Sequence, residues 1–174
     1  MKGWLQTLTL VFLLMPVLAA AQRADPAQNY PVRPVRIITG SPGSTSDLSA
    51  RFTAQKLTER WRHQVVVDNR AGAGGIIGTE IAARSAPDGQ TLVIGHIGTH
   101  VSAPSLYKNL AYDPIKDFEP ISNLVSSAIV LVVHVSVPAG NLKELLAFVQ
   151  GKPAGVNYST PGGGTSGNLT GELF

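Results

Sequence analysis

From residue 35 onward the apolar positions fall into a repeating order of short runs and spaced singles. Residues 35–38 (Val-Arg-Ile-Ile) are a β-branched run of strand length, 40–46 are a cluster of turn formers, and Ala50, Ala54, Leu57 and Trp61 recur at helical spacing. The first unit therefore reads strand, loop, helix. A second begins with Val65, Val66 and Val67, has its loop at 69–75, and enters a helix at Ile77 and Ile81 that must stop before Pro87-Asp88-Gly89. A third strand is predicted at 91–94, followed by a loop at 95–100 and a helix around 105–108. Three such units in a row predict an α/β fold with helix-covered, mainly parallel strands.

The rhythm then changes. Residues 112–120 are turn-like, and two β-rich runs follow at 121–125 and 129–133 with no helical pattern between them, as expected of a crossing between two lobes. Leu142, Leu145, Leu146 and Val149 stand at i, i+3, i+4, i+7 behind Asn141 as N-cap, with Glu144 placed for a capping box, so a helix is expected there until Gly151-Lys152-Pro153. Residues 156–159 read as a strand, 160–167 as the richest glycine loop, and 168–174 as the first turns of another helix.

The amino end is of a different kind. Lys2 precedes an apolar run at 8–18, and Ala19-Ala20-Ala21 offers a small-residue cleavage site, so 1–21 read as a secretory signal peptide and 22–34, with three prolines, as an extended lead-in. The run is broken by Thr9 and Pro16 and is too short to span a bilayer, and no later apolar stretch is long enough, so no stable membrane insertion is expected after cleavage.

Composition narrows the chemistry. The absence of cysteine excludes thiolate metal sites, disulfides and cysteine nucleophiles. A net charge of +3, falling to +2 once Lys2 is removed, with 6% aromatic residues, does not supply the basic groove and stacking platforms that nucleic acid requires. What remains prominent is the glycine loops. A strand, a Gly/Ser/Thr loop and a helix start aim backbone N–H groups and the positive end of the helix dipole at one point, which suits an anion. Dinucleotide and P-loop readings fail on the residues: Ile77 stands where G-x-G-x-x-G needs its third glycine, and no lysine follows the 162–167 cluster. Carboxylates are therefore expected over phosphates.

Catalytic readings are weaker. Gly164-Thr165-Ser166-Gly167 is one residue short of a nucleophile elbow, although an exported hydrolase using Ser44, Thr45 or Ser166 is the rival class. His96 and His100 have i, i+4 spacing, but Gly95 and Gly98 argue against a helix there, so no metal site is expected. His63 and His134 read as strand-flanking residues, and Asp47 as a helix-start residue with a second possible role as acceptor from a ligand.

Five motifs in order, Tyr30-Pro31-Val32-Arg33-Pro34-Val35-Arg36-Ile37-Ile38, Asn69-Arg70-x-Gly72-Ala73-Gly74-Gly75-x-x-Gly78, Ala86-Pro87-Asp88-Gly89-x-Thr91-Leu92, Tyr112-Asp113-Pro114-x-Lys116-Asp117-Phe118 and Gly164-Thr165-Ser166-Gly167, resemble the Bug (TctC-like) family, the periplasmic solute-binding proteins of tripartite tricarboxylate transporters. The resemblance implies a two-lobed, periplasmic-binding-protein-like fold. It assigns 35–125 to a first α/β lobe that lacks its return segment, and 126–174 to the crossover and start of a second lobe, in a chain cut to about half the family's length. It implies a small organic acid as ligand and membrane permease subunits as partners, with no cofactor and no enzymatic activity; a sensing role toward a membrane receptor is the alternative. Carried onto this chain, the ligand contacts are Gly43, Ser44, Thr45, Ser46 and Asp47 after the first strand and Gly164, Thr165 and Ser166 in the glycine loop, with Thr99 and His100 as lesser candidates. The first loop departs from the family's Pro-Phe-x-x-Gly-Gly-x-x-Asp pattern, because Thr39-Gly40-Ser41-Pro42-Gly43-Ser44-Thr45-Ser46-Asp47 has Gly40 in place of the aromatic and Ser44 in place of a glycine.

Overall fold

The computed structural model describes residues 29–174; the signal peptide expected at 1–21, and residues 22–28 of the lead-in, lie outside the described residues. The three predicted strands are present as β1 (Val35–Thr39), β2 (Val65–Asn69) and β3 (Thr91–Val93), all parallel, in the spatial order β2-β1-β3. The register pairs Val35 with Val65 and Thr39 with Asn69 on one side of β1, and Arg36 with Thr91 and Ile38 with Val93 on the other. As the middle strand, β1 is covered on both faces, which explains why its sequence is nearly continuous in β-branched residues: Val35, Ile37 and Ile38 are fully buried.

Helix α1 (Thr45–Trp61) packs on β1 and β2 through Ala50 and Ala54, whose small side chains let the helix lie close to the sheet. It is tied to β2 by Thr58, whose Oγ1 accepts the Val65 N–H at 3.1 Å. It ends at Arg62, which takes the left-handed conformation (φ 55°) and donates its N–H to Thr58 O. A residue with a Cβ is strained there, and glycine is the natural occupant of such a helix end. Arg62→Gly is therefore expected to stabilise the chain by about 0.5–1 kcal/mol in denaturant titration; no gain would mean that the arginine side chain supplies a compensating contact.

Helix α2 (Ile76–Ala83) packs on β1 and β3. The approach is close: a Cβ at Gly78 would lie 3.1 Å from Ile38 Cγ2. After β3 a π-helix (Gly98–Ser102) forms where Gly98 argued against a helix, and it leads into the short α3 (Ala103–Leu106), earlier than the helix expected around 105–108, because Thr99 and Tyr112 hold the wide turn. The 112–118 motif is a self-capped turn. Asp113 accepts the N–H groups of Ile115 and Lys116 at 3.0 and 3.1 Å, and its own N–H donates to Asp117 at 2.7 Å. It presents Tyr112 and Phe118 to His100, with ring centroids 6.4 and 5.0 Å away.

Beyond this point the expected strands are missing. The strands predicted at 121–125, 129–133 and 156–159 are not formed; these segments run without regular structure. A strand is stable only when its backbone groups are paired, and among the described residues no neighbour completes a ladder with them. Their apolar side chains stay in water, with Val130 74% and Val132 80% exposed. The two helices expected in this part of the chain are formed. α4 (Leu142–Gln150) carries the expected capping box, Asn141 accepting the Glu144 N–H at 3.1 Å, and α5 (Ser166–Leu173) starts two residues earlier than its sequence pattern indicated, because Thr165 caps it.

Candidate functional site

In a parallel sheet of order β2-β1-β3 the chain turns to opposite sides of β1, and the carboxyl ends of β1 and β3 flank the resulting crevice. The loops that leave these ends meet there. A small cavity is lined by Thr39 and Gly40 of the first loop, Gly75, Gly78 and Thr79 of the second unit, and Val93, Ile94 and His96 of the third. The fourth loop, far away in sequence, rests on the second and third. A Cβ at Gly74 would lie 3.1 Å from Gly163 O, and one at Gly98 would lie 3.4 Å from Gly164 O. At Gly74, with φ 63°, a Cβ would be both strained and tight against the Gly163 carbonyl, which accounts for the glycine there.

The first loop is held rigidly. Ser44 caps α1, accepting the Asp47 N–H at 3.2 Å and donating to Ser41 O at 2.7 Å, and Ser46 Oγ lies 2.9 Å from Ser44 Oγ. Thr45 is the exposed first residue of the helix, and its carbonyl accepts from Ser49. Asp47 is buried and reaches back to the Gly43 N–H at 2.8 Å, takes Arg51 Nε at 3.0 Å, and takes Asn69 Nδ2 at 2.8 Å. Asn69 also donates to Gly40 O at 3.0 Å and accepts from Arg51. Asp47 thus joins both ends of the first loop to the end of β2, the capping role expected of it in extended form. The Arg51 guanidinium, Asn69 and the Gly43 amide lower its carboxyl pKa to about 2, and its charge is met within the protein.

The third loop is organised by Thr99, which is buried. Its hydroxyl accepts the His96 N–H at 3.2 Å, donates to His96 O at 3.2 Å and lies 2.9 Å from His100 Nδ1, while its carbonyl accepts from Tyr112 at 2.7 Å. Thr99 and His100, the lesser ligand candidates, are therefore committed to shaping their own loop. His96 is placed differently. Its Nδ1 accepts the Gly98 N–H at 3.1 Å, so the neutral ring carries its proton on Nε2. That edge faces Gly75, where a Cβ would lie 3.0 Å from Nε2. Burial, and then the neighbouring His100, lower the His96 pKa; burial lowers that of His100.

In the glycine loop Gly164 is buried with φ 76°, its N–H donating to Asn168 Oδ1 at 3.0 Å, and Thr165 Oγ1 donates to Gly162 O at 2.7 Å and caps α5, whose first residue is the half-buried Ser166. The site is thus a set of four loops in which the amides of Gly43, Gly98 and Gly164 are bonded to side chains of their own loops. Sequence reasoning missed Asn69 and His96: the first acts across 22 residues, and the second was read only for its spacing to His100. The i, i+4 relation of Asp47 and Arg51 was the one local signal for the clamp.

The rival chemistries find no support in this geometry. His63 Nδ1 is bonded with Trp61 O, His96 Nδ1 with Gly98, His100 Nδ1 with Thr99, and His134 Nδ1 with Ser136, and none of these bonds activates Ser44, Thr45 or Ser166. Among the described residues no group of three or more His, Asp or Glu side chains is placed to hold a metal ion, and no helix is long and apolar enough to cross a membrane.

Residues 49–174 match the sequence profile of TctC, the tripartite tricarboxylate transporter family receptor. Among curated relatives, a UPF0065 protein and the protein BugT, both of Bordetella pertussis, are 35% and 34% identical over 91% and 94% of this chain. The alignments take in 49% and 50% of those proteins, so the chain spans about half their length. Among solved structures, a periplasmic transporter superposes with a TM-score of 0.79 at 37% identity, covering 83% of this chain and 49% of its own. The periplasmic binding protein BugD does so with 0.71 at 35%, covering 83% and 48%. MatC of Rhodopseudomonas palustris, solved with bound malate, gives 0.65 at 33%, covering 70% and 42%. The fold is that of periplasmic binding proteins of this kind, across about half of their length.

Proposed function

The chain belongs to the TctC family of tripartite tricarboxylate transporter receptors, and from that premise we propose that it serves as the ligand-cradling part of a periplasmic solute-binding protein. It is exported by the signal at 1–21, captures a small dicarboxylate, and presents it to membrane permease subunits. The observation that carries this reading is the meeting of four glycine-bearing loops at the carboxyl ends of β1 and β3. Backbone amides at turn-to-helix junctions bind a carboxylate through charge-assisted hydrogen bonds without a resident cation. The malate held by MatC supports a dicarboxylate as the ligand class. Residues 35–125 act as the first lobe and 126–174 begin a second, whose remainder closes the cleft over the acid. Water exclusion by that second wall strengthens each amide contact, so this chain alone binds weakly. The function is capture and release, without turnover.

The test is calorimetry on this chain joined to the carboxyl-terminal half of BugT, titrated with malate and a panel of mono- and dicarboxylates. At least one acid, with dicarboxylates first, is expected to give saturable heat. No heat with any of them would remove the proposal.

A further inference from the structure

The half-buried ring of His96 stands where three of the four loops meet. Its Nδ1 accepts the N–H of the buried Gly98 at 3.1 Å, and a Cβ at Gly98 would lie 3.0 Å from the ring's Cε1. Gly98 in turn borders the fourth loop, where its Cβ position is 3.4 Å from Gly164 O. Nε2 borders the second loop, 3.0 Å from the Cβ position of Gly75. The bond to Gly98 sets a chemical condition on the ring. A neutral imidazole accepts at one nitrogen, whereas the imidazolium donates from both and accepts at neither, so a second proton turns the Gly98 N–H from a partner into an opposing donor. No carboxylate lines the cavity to offset that charge, and His96 is the one titratable residue in the lining. His100, on the same loop, repels a proton on His96, and burial opposes it further. The charged side chains on the neighbouring elements are met elsewhere: Glu80 of α2 by Arg84, Asp113 by Lys116, Asp68 of β2 by Arg36 and Arg70, and Asp47 of α1 by Arg51. Tyr112 donates its hydroxyl to Thr99 O, and residues 160–165 of the fourth loop carry no charge.

We propose that His96 is a proton-operated positioning residue of the crevice: neutral, it holds the Gly98 amide and keeps the third loop seated against the second and fourth, and protonated, it releases Gly98 and lets those loops part. The sign follows from the ring's surroundings. Its pKa in the folded chain lies below the ordinary 6.5, so its contribution is fully present above that value and is lost as pH falls below it. This window is well above the one in which Asp47 and Asp113 titrate. Acidification therefore loosens the crevice, and with it the grip on an acid. That last consequence rests on the proposed function; the joint itself does not.

The test is a pH titration of the full chain without malate, from about pH 7.5 to 5.5, a range that brackets the ordinary histidine value. It follows the His96 ring, the ¹H–¹⁵N resonances and amide exchange. The amides of Gly75, Gly98 and Gly164 should shift with the midpoint of the His96 ring, and Gly98 should lose protection by up to about tenfold per pH unit below the ordinary histidine pKa. His96→Asn keeps a side-chain acceptor for the Gly98 N–H but does not titrate, so it should erase the step. His100→Asn should retain the step and raise its midpoint, since a repelling neighbour is removed. A Gly98 amide indifferent to the His96 midpoint, a step that survives His96→Asn, or one that vanishes in His100→Asn would overturn the joint. Should either variant not fold, the wild-type comparison of ring and amide midpoints decides alone. A malate titration at pH 7.5 and 6.0 then reads the consequence: half-saturation should need several-fold more malate at the lower pH in the wild type and not in His96→Asn, and an equal ratio in both would overturn the link to the acid. If malate shifts no resonance at pH 7.5, the proposed function fails, and the malate-free titration still decides the joint.

Discussion

Gly75→Val is expected to separate the loops at the crevice and to destabilise the chain by roughly 2–4 kcal/mol, since a non-glycine residue at strained φ costs about 1–3 kcal/mol and overpacking adds a similar amount. Gly75 has φ 97°, and even a Cβ there would lie 3.0 Å from His96 Nε2 and 3.1 Å from Thr99 Cγ2. Neither neighbour can yield cheaply, because His96 is tied to Gly98 and Thr99 to both His96 and His100. The valine must therefore push the third loop away from α2. Denaturant unfolding measures the loss, and hydrogen exchange should show it concentrated at 96–100. A variant as stable as the wild type would mean that the second and third loops are not in contact in solution.

Asp47→Ala is the second large effect. The buried carboxylate joins Gly43, Arg51 and Asn69, so its removal frees both ends of the first loop and takes away a charge-assisted acceptor shared by three donors. The melting temperature should fall by at least several degrees, and amides 43–47 should lose their exchange protection first. The pH dependence has a definite sign. Asp47 titrates at about 2 when folded, below the ordinary carboxylate range, so its contribution is present above pH 4 and is lost as pH falls from about 4 to 2. Asp113, held low chiefly by Lys116 and also at about 2, shares that window. The comparison that isolates Asp47 is therefore wild type minus variant: the difference should shrink on acidification, and a difference independent of pH between 5 and 2 would contradict the clamp.

Those features that obey local rules were legible in the sequence. The β-branched run of β1, the helical spacing of Ala50 and Ala54, and the Asn141 and Glu144 capping box each state their structure within a few residues, and each is found where expected. The runs at 121–125 and 129–133 carry the same local signal as β1 but form no strand, because a strand also needs a neighbour, which propensity does not encode. The site was legible as a set of glycine loops and not as an arrangement. That Gly163 lies against Gly74, that Asn69 fastens Gly40, and that His96 faces Gly75 are long-range facts of packing. The expected ligand residues divide accordingly. Gly43 to Ser46 and Gly164 to Ser166 sit at helix-start junctions, where the amides of Gly43, Ser44, Gly164 and Thr165 are bonded within their own loops, and the side chains of Asp47, Thr99 and His100 are engaged in holding those junctions in place.

The most direct test is an ¹H–¹⁵N titration of the chain with malate. Amides of 43–46, 74–75, 96–99 and 164–166 should shift together with one midpoint, showing that a single acid is gripped by loops from four places in the sequence. Shifts confined to one loop, or with separate midpoints, would contradict a shared carboxylate cradle.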